Sequence, residues 1–326
     1  MRLGIIVRCD NSGLGILSYE HVKYLNPDKV LVVKIGRYKQ FSERYPKAII
    51  GQGIPTDDEI RLFLTDLDIC LTFETPYNWH LYKIAREMGV KTICQCNYEW
   101  LNFCDLPDLF QCVSTWHYDK IPGNKILVPC PVSREIIPFR KRYEAKTFLH
   151  IAGHKDALYG RNGTVEFMQA ITKVKSDVKF IIYSQSNFDV PNDIRIDYKQ
   201  GDFNDYSSLY HEGDILVYPR RYGGQSLQLN EALSSGMPVL MTNMEPQNEF
   251  LPKEWLIEPS ERKKIKIRQS FDICICSPEV IATKIDEWAG KDIELFSNIA
   301  DSIANKLSWN TLIRNYKEMF ASLLKC

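Results

Sequence analysis

The stretch from Tyr218 to Asn243 holds the densest set of residues able to do chemistry. It runs Tyr218-Pro219-Arg220-Arg221-Tyr222-Gly223-Gly224-Gln225-Ser226, continues from Leu227 to Ser235, and closes on Gly236-Met237-Pro238-Val239. An apolar strand ends at the proline, enters a Gly-Gly loop, and leads at once into a helix. Glycine lets the backbone approach a ligand closely, and the first turn of a helix offers N–H groups to an anion. Ser226 is placed to cap that helix. Gly224, Gln225, Ser226 and Leu227 are therefore candidates to cradle a phosphate. Glu231 lies one turn further in, where a carboxylate can accept two hydroxyls of a ribose. Gly236 ends the helix and Pro238 leads into the next strand. The chemistry implied is capture of a nucleotide.

Three loops in the first half add candidates. Asp10-Asn11-Ser12-Gly13-Leu14-Gly15 joins a first strand to a first helix, so Gly13 and Gly15 can face a phosphate. Phe73-Glu74-Thr75-Pro76-Tyr77 and Asn97-Tyr98-Glu99-Trp100 each follow a strand. Glu74 and Glu99 are the available carboxylates. Asn97 can hydrogen-bond a hydroxyl but cannot act as a base, and Tyr98 or Trp100 can stack on a ligand ring. Glu74, Asn97 and Glu99 are thus the candidate reacting or acceptor-holding residues. His80, His117 and His211 lack ligand-like spacing to one another or to cysteines, and paired C-x-x-C motifs are absent. No metal site is expected.

Short apolar runs bounded by turn residues must position these loops. Candidate strands are Leu3–Val7, Val30–Ile35, Ile69–Thr72, Thr92–Gln95 and Ile126–Pro129, with helical patterns at Ile16–Leu25, Asp57–Leu64 and Trp79–Met88. From Pro131 to Ala145, with Pro138 and Arg140-Lys141-Arg142, the rhythm lapses. It resumes with strands Thr147–Ala152, Val178–Tyr183, Ile215–Tyr218 and Val239–Thr242, and helices Thr164–Val174, Tyr206–His211 and Ser226–Ser235. Alternating strands and helices indicate doubly wound, mainly parallel sheets, with ligands outside the carboxyl ends of the strands. We expect a first Rossmann-like domain over 1–135, a linker over 136–146 and a second Rossmann-like domain over 147–307. A helix over 308–326, opened by Ser308-Trp309-Asn310, is expected to pack against one of them, the first domain being a candidate.

The segment around Glu231 resembles the donor-binding signature of family-4 retaining glycosyltransferases, written P-x(n)-E-G-F-G-x-x-x-x-E-A-x-A-x-G-x-P-V. Glu231-Ala232, then Gly236-Met237-Pro238-Val239, matches its second half. The first glutamate of the signature falls at Gly223, and its Gly-Phe-Gly at Gly224-Gln225-Ser226. The resemblance implies a ribose contact by Glu231. It leaves the sugar ring to the backbone amides of Gln225 to Leu227 or to the side chain of Gln225. Ile151-Ala152-Gly153-His154-Lys155 with Arg161-Asn162-Gly163-Thr164 resembles the family's G-R … R-K-G element, whose basic groups neutralise the donor diphosphate. Gly153 and Arg161 match, His154 and Asn162 replace basic residues, and Lys155 can compensate. A cation is needed there, because a departing nucleoside diphosphate develops negative charge. Asn97 stands where many members carry a histidine against the donor sugar.

The resemblance implies a GT-B fold, two Rossmann-like domains facing each other across a cleft. It implies sugar transfer from a UDP- or GDP-sugar to an acceptor hydroxyl, retaining and with no obligatory metal or other cofactor. The acceptor stays open: a glycan, a small molecule, a protein, or the modified DNA bases and virion proteins met by similar compact enzymes of phages and viruses. A sugar-nucleotide epimerase and a non-catalytic sugar-nucleotide binder are the rival readings.

Composition narrows the partners. The 326 residues carry 41 Lys+Arg against 41 Asp+Glu, which gives no support to a polyanionic partner. Arg140-Lys141-Arg142 and Arg262-Lys263-Lys264-Ile265-Lys266 remain as local basic runs, read as solvated surface before DNA contacts. No apolar run reaches the length of a membrane span. The 10 cysteines are spread through apolar segments and read as buried reduced thiols, which suits a cytoplasmic protein.

Overall fold

The structure is a computed structural model and describes residues 1–36, 39–102, 104–154, 158–203, 205–224 and 226–325. The chain divides into two compact units. The first comprises Met1–Cys130, Ile267–Gln269 and Trp309–Cys326; the second comprises Pro131–Lys266 and Ser270–Ser308.

The first unit is built on seven parallel strands: β1 Leu3–Arg8, β2 Lys29–Val33, β3 Ile49–Ile50, β4 Ile69–Phe73, β5 Lys91–Cys96, β6 Leu109–Cys112 and β7 Lys125–Leu127. Their order is β3-β2-β1-β4-β5-β6-β7. β4 is buried throughout and β1 nearly so, as continuous apolar strands covered on both faces should be. Helices α1 Gly13–Leu25, α2 Asp57–Leu64 and α3 Leu81–Glu87 connect them. α2 begins where Thr56 and Glu59 form a reciprocal capping box, with Glu59 N–H donating to Thr56 Oγ1 at 3.2 Å.

The second unit holds six parallel strands: β8 Thr147–Gly153, β9 Lys179–Ser184, β10 Ile196–Gln200, β11 Ile215–Tyr218, β12 Val239–Thr242 and β13 Leu256–Ile257. Their order is β10-β9-β8-β11-β12-β13. Helices α4 Thr164–Ile171, α5 Leu227–Ser234, α6 Pro278–Trp288 and α7 Glu294–Lys306 belong to this unit. An antiparallel hairpin, β14 Glu261–Lys266 and β15 Ser270–Ile275, follows β13. Its turn residues, Ile267–Gln269, fall with the first unit.

A last helix, α8 Trp309–Leu324, also belongs to the first unit. Tyr316 on α8 donates its hydroxyl to His21 Nε2 at 2.9 Å and accepts from Gln111 Nε2 at 2.7 Å. His21 Nδ1–H in turn donates to the Leu17 carbonyl at 2.8 Å, which fixes the tautomer. Trp309 donates its indole N–H to Glu20 at 2.8 Å and stacks on Tyr24 at 4.9 Å.

The two doubly wound parallel sheets expected from the alternation of apolar and amphipathic runs are therefore present. Two expectations shift. Tyr206–His211 is not an α-helix but a single 3₁₀ segment, Tyr206–Tyr210, started by Asp205 accepting the Ser207 N–H at 2.9 Å. The strand expected over Ile126–Pro129 occupies Lys125–Leu127.

Candidate functional site

In each sheet the chain reverses its direction of winding once, between β1 and β4 and between β8 and β11. Loops leaving the carboxyl ends of strands at such a switch point form the ligand crevice of open parallel sheets. The candidate loops leave from these strands or from their immediate neighbour β5.

In the second unit, β8 ends at Gly153, held at φ +64°. Asn162 ties the ends of β8 and β11: its amide donates to the Ala152 carbonyl at 2.8 Å and accepts from the Tyr218 hydroxyl at 3.1 Å. Gly163 completes the approach. A Cβ there would lie 2.2 Å from the Pro219 carbonyl, and its φ is +66°, so only glycine fits between the β8 and β11 loops.

Two guanidinium groups converge where the resemblance places a glutamate. A Cβ built on Gly223 would lie 2.5 Å from Arg161 Nη2 and 2.5 Å from Arg220 Nη2. Arg220 is buried, and its Nη1 donates to the Gly224 carbonyl at 2.9 Å. Arg161 lies over the Tyr222 ring, 5.2 Å from its centroid, and its carbonyl accepts the Arg221 N–H at 2.8 Å. Arg221 itself is committed to structure, pairing with Glu166 of α4 and donating to the Tyr159 carbonyl at 2.6 Å. A larger residue at 223 would meet the two cations; glycine leaves them adjacent.

Glu231 lies in α5 with only 7% of its surface exposed. Its Oε2 accepts the hydroxyl of Tyr210 at 2.5 Å. Burial, then the neighbouring Glu231 carboxylate, pushes the Tyr210 phenol well above its usual range, so it stays protonated and donates. Tyr210 is fixed in turn by Arg142, whose Nη2 donates to its carbonyl at 2.7 Å. Burial lowers the Arg142 guanidinium to about 10, which leaves it charged. Arg140 Nη1 donates to the neighbouring His211 carbonyl at 2.5 Å, and Lys141 pairs with Glu294 at 2.5 Å. The basic run Arg140-Lys141-Arg142 is thus tied into the second unit; Arg142, read from sequence as solvated, is buried. Ser226 occupies the N-cap position of α5 with extended backbone, but its hydroxyl makes no cap bond. Gly224 is buried and Leu227 opens the helix. Lys155 and Gln225 lie outside the described residues.

In the first unit the Asp10–Gly15 loop is internally bonded. Asp10 is buried, pairs with Arg8, and accepts the Ser12 N–H at 3.0 Å. Ser12 caps α1 by accepting the Gly15 N–H at 3.3 Å. Gly15 has no room for a side chain, since a Cβ would sit 1.9 Å from the Asp10 carbonyl. Gly13 is exposed at the start of α1.

Glu74, after β4, sits at φ +62° with its N–H donating to the Gln95 carbonyl at 2.7 Å. Asn97, after β5, donates from Nδ2 to Glu74 Oε1 at 2.5 Å. The structure therefore brings Glu74 and Asn97 together. A non-glycine residue held in the left-handed region costs about 1–3 kcal/mol and is found preferentially at functional sites. Glu99 is fully buried, and its carbonyl accepts the Arg268 N–H at 3.2 Å. Tyr98 packs on His117 and Trp116, at 4.4 and 5.9 Å between centroids.

Reading the sequence missed Tyr210, Arg142 and Arg220 as parts of the site. Tyr210 and Arg142 come from distant segments, and no local signal marks them. Arg220 was visible beside Pro219 within the signature. Among the described residues there is no cluster of three or more His, Cys, Asp or Glu side chains able to hold a metal ion, and no helix long and apolar enough to cross a membrane. The nine described cysteines are free thiols, eight of them buried.

Residues 145–266 match the family described as glycosyl transferases group 1. Anabaena Alr3699/HepE, solved in complex with UDP-glucose, superposes with a TM-score of 0.72 at 11% identity, over 99% of this chain and 100% of that one. A glycosyltransferase from Rickettsia africae gives 0.66 at 14% identity, over 99% and 98% of the two chains. The lipopolysaccharide outer core galactosyltransferase WaaB gives 0.61 at 12% identity, over 99% of each. No curated protein matches by sequence. At these identities the structural likeness concerns the fold.

Proposed function

We propose that this glycosyltransferase of the group 1, GT-B type moves a sugar from a uridine-diphosphate sugar to an acceptor hydroxyl, with retention and without a metal. One observation carries the reading: Arg161 and Arg220 meet at Gly223, eight residues before Glu231, inside the segment that matches the family. In this reading Glu231, oriented by Tyr210, accepts the ribose hydroxyls. Arg161 and Arg220 hold the diphosphate and stabilise it as it departs. Fixed cations aimed at developing charge are worth far more in a buried site than in water.

In the reaction the acceptor oxygen bonds to the anomeric carbon, the bond from that carbon to the diphosphate breaks, and the acceptor proton is released. Glu74 and Asn97 are proposed to meet the acceptor hydroxyl, the amide keeping the carboxylate in one orientation. Uridine is preferred to guanosine because solved relatives of the same fold hold UDP or UDP-glucose. Buried free thiols suit a reducing, cytoplasmic setting.

Calorimetry with UDP, GDP and UDP-glucose tests the donor, and product analysis with a panel of acceptors tests the transfer. UDP binding that Glu231→Ala leaves unchanged would overturn the site. An epimerised donor formed without acceptor would overturn the transfer.

A further inference from the structure

A recess lies in the first unit, lined in part by the two loops that also carry Glu74 and Asn97. Trp79, Leu101, Asn102, Arg268 and Gln269 line a cavity of about 390 Å³, within the size range of small-ligand pockets. The residues come from three places: the loop after β4, the segment after β5, and the turn of the β14–β15 hairpin.

The turn is held firmly. Arg268 N–H donates to the Glu99 carbonyl at 3.2 Å, and Gln269 Nε2 donates to the Leu101 carbonyl at 3.0 Å. Those bonds fix the Gln269 amide at the wall. Asn102 Oδ1 accepts the Cys104 N–H at 3.2 Å, which orients its amide. Trp79 is 41% exposed, unusual for so large an apolar ring, while Leu101 is buried. The Arg268 guanidinium stands over the Trp79 ring, 5.1 Å from its centroid. An exposed indole, two oriented amides and one cation form a recognisable set. An indole of this kind can stack on the C–H face of a sugar ring, amides can bond vicinal hydroxyls, and a guanidinium can pair with an anionic substituent.

The strand that leads into the turn, β14, belongs to the second unit and is strongly basic. Arg262, Lys264 and Lys266 occupy alternate positions of β14 and so share one face. All three are exposed.

We propose that this recess binds a saccharide carrying a negative charge, a uronate or a phosphorylated sugar, as the acceptor or as part of it. The assignment of that ligand as acceptor rests on the transferase reading above; the binding itself does not.

The test is an array of uronate-bearing, phosphorylated and neutral oligosaccharides probed with wild type, Trp79→Ala, Arg268→Gln and Arg268→Lys. Wild type should retain acidic saccharides about ten-fold more strongly than neutral ones of equal length, as expected for an arginine anchor. Trp79→Ala should lose both, Arg268→Gln only the acidic preference, and Arg268→Lys should recover part of it. Which acidic arm is retained separates carboxylate from phosphate. Melting curves matching wild type exclude unfolding as the cause. Equal retention of acidic and neutral saccharides, or retention unaffected by Trp79→Ala, would overturn the proposal. Calorimetry with UDP-glucose on the same proteins keeps the two ideas apart. Acidic saccharides retained as expected by a protein that ignores UDP-glucose would preserve the recess and sink the transferase reading.

Discussion

Tyr210 donates its hydroxyl to Glu231 across 2.5 Å, inside a part of the second unit where both side chains are buried. Burial and the adjacent carboxylate raise the phenol well above its usual range, so it stays protonated and Glu231 is the acceptor in a charge-assisted bond that orients the carboxylate. Glu231→Ala should weaken UDP binding by about 10- to 100-fold, the range of hydrogen bonds to a charged group. Tyr210→Phe should weaken it less, by roughly ten-fold or below, because the carboxylate survives with its orientation loosened. Calorimetry checks both, and a Tyr210→Phe loss exceeding that of Glu231→Ala would contradict the assignment.

Arg161 is the more exposed of the two cations at Gly223 and the cleaner to remove. Arg161→Ala should lower turnover by about 100-fold while folding is kept, as for loss of one group that stabilises developing charge. Steady-state kinetics with UDP-glucose and a competent acceptor reads this. A change confined to KM would show that Arg161 binds donor and leaving group equally.

The elements that carry the candidate site are legible in the sequence because their signals are local. The Gly-Gly loop, Glu231 and Gly236 lie in one short run, and their order alone locates a strand, a loop and a helix. Apolar runs at Leu3–Val7 and Ile215–Tyr218 marked strands for the same reason. What stayed hidden depends on distance along the chain. Arg142 meets the Tyr210 carbonyl 68 residues away, and nothing near either residue announces it. The β14–β15 hairpin escaped because β14 carries exposed Arg262, Lys263 and Lys264 in place of apolar alternation. The expected helix over Tyr206–His211 is a 3₁₀ segment, Tyr206–Tyr210, because its apolar spacing suits either geometry over so few residues.

Gly163→Ala should destabilise the second unit markedly. The new methyl would meet the Pro219 carbonyl, and the positive φ adds about 1–3 kcal/mol. Thermal unfolding should show a melting point several degrees lower, whereas Gly290→Ala, whose Cβ would meet no atom within 4 Å, should show only the backbone part of the effect.

Two histidines make stability depend on pH. Burial lowers His21 and His150 to about 4. His150 donates from Nδ1 to the Val217 carbonyl at 2.8 Å, and its Nε2 accepts from Thr164 Oγ1 at 2.9 Å. The unfolded chain takes up these protons near pH 6.5, the folded one only near 4. Stability is therefore complete above about 6.5 and falls as pH drops toward 4, by at most about 1.4 kcal/mol per pH unit for each ring. Melting temperatures between pH 7 and 5, above most carboxylate titration, should decline accordingly. Histidine NMR titrations that leave both rings protonated at pH 6 would refute it.

Glu74→Gln should keep donor affinity and depress turnover, since the amide retains the shape that Asn97 holds but loses the charge. Equal turnover in the variant would remove Glu74 from the chemistry and leave it as a turn residue.

The two long pieces of chain that build the first unit, Met1–Cys130 and Trp309–Cys326, lie on either side of the second in sequence. His21 and Gln111 reach their shared partner Tyr316 across 295 and 205 residues. During synthesis, the first sheet therefore emerges long before the helix that satisfies its buried polar groups. The second unit, nearly continuous in sequence, has everything it needs sooner. Vectorial translation would thus complete the later-encoded unit first, with the earlier one waiting in an unfinished state that chaperones are suited to shelter.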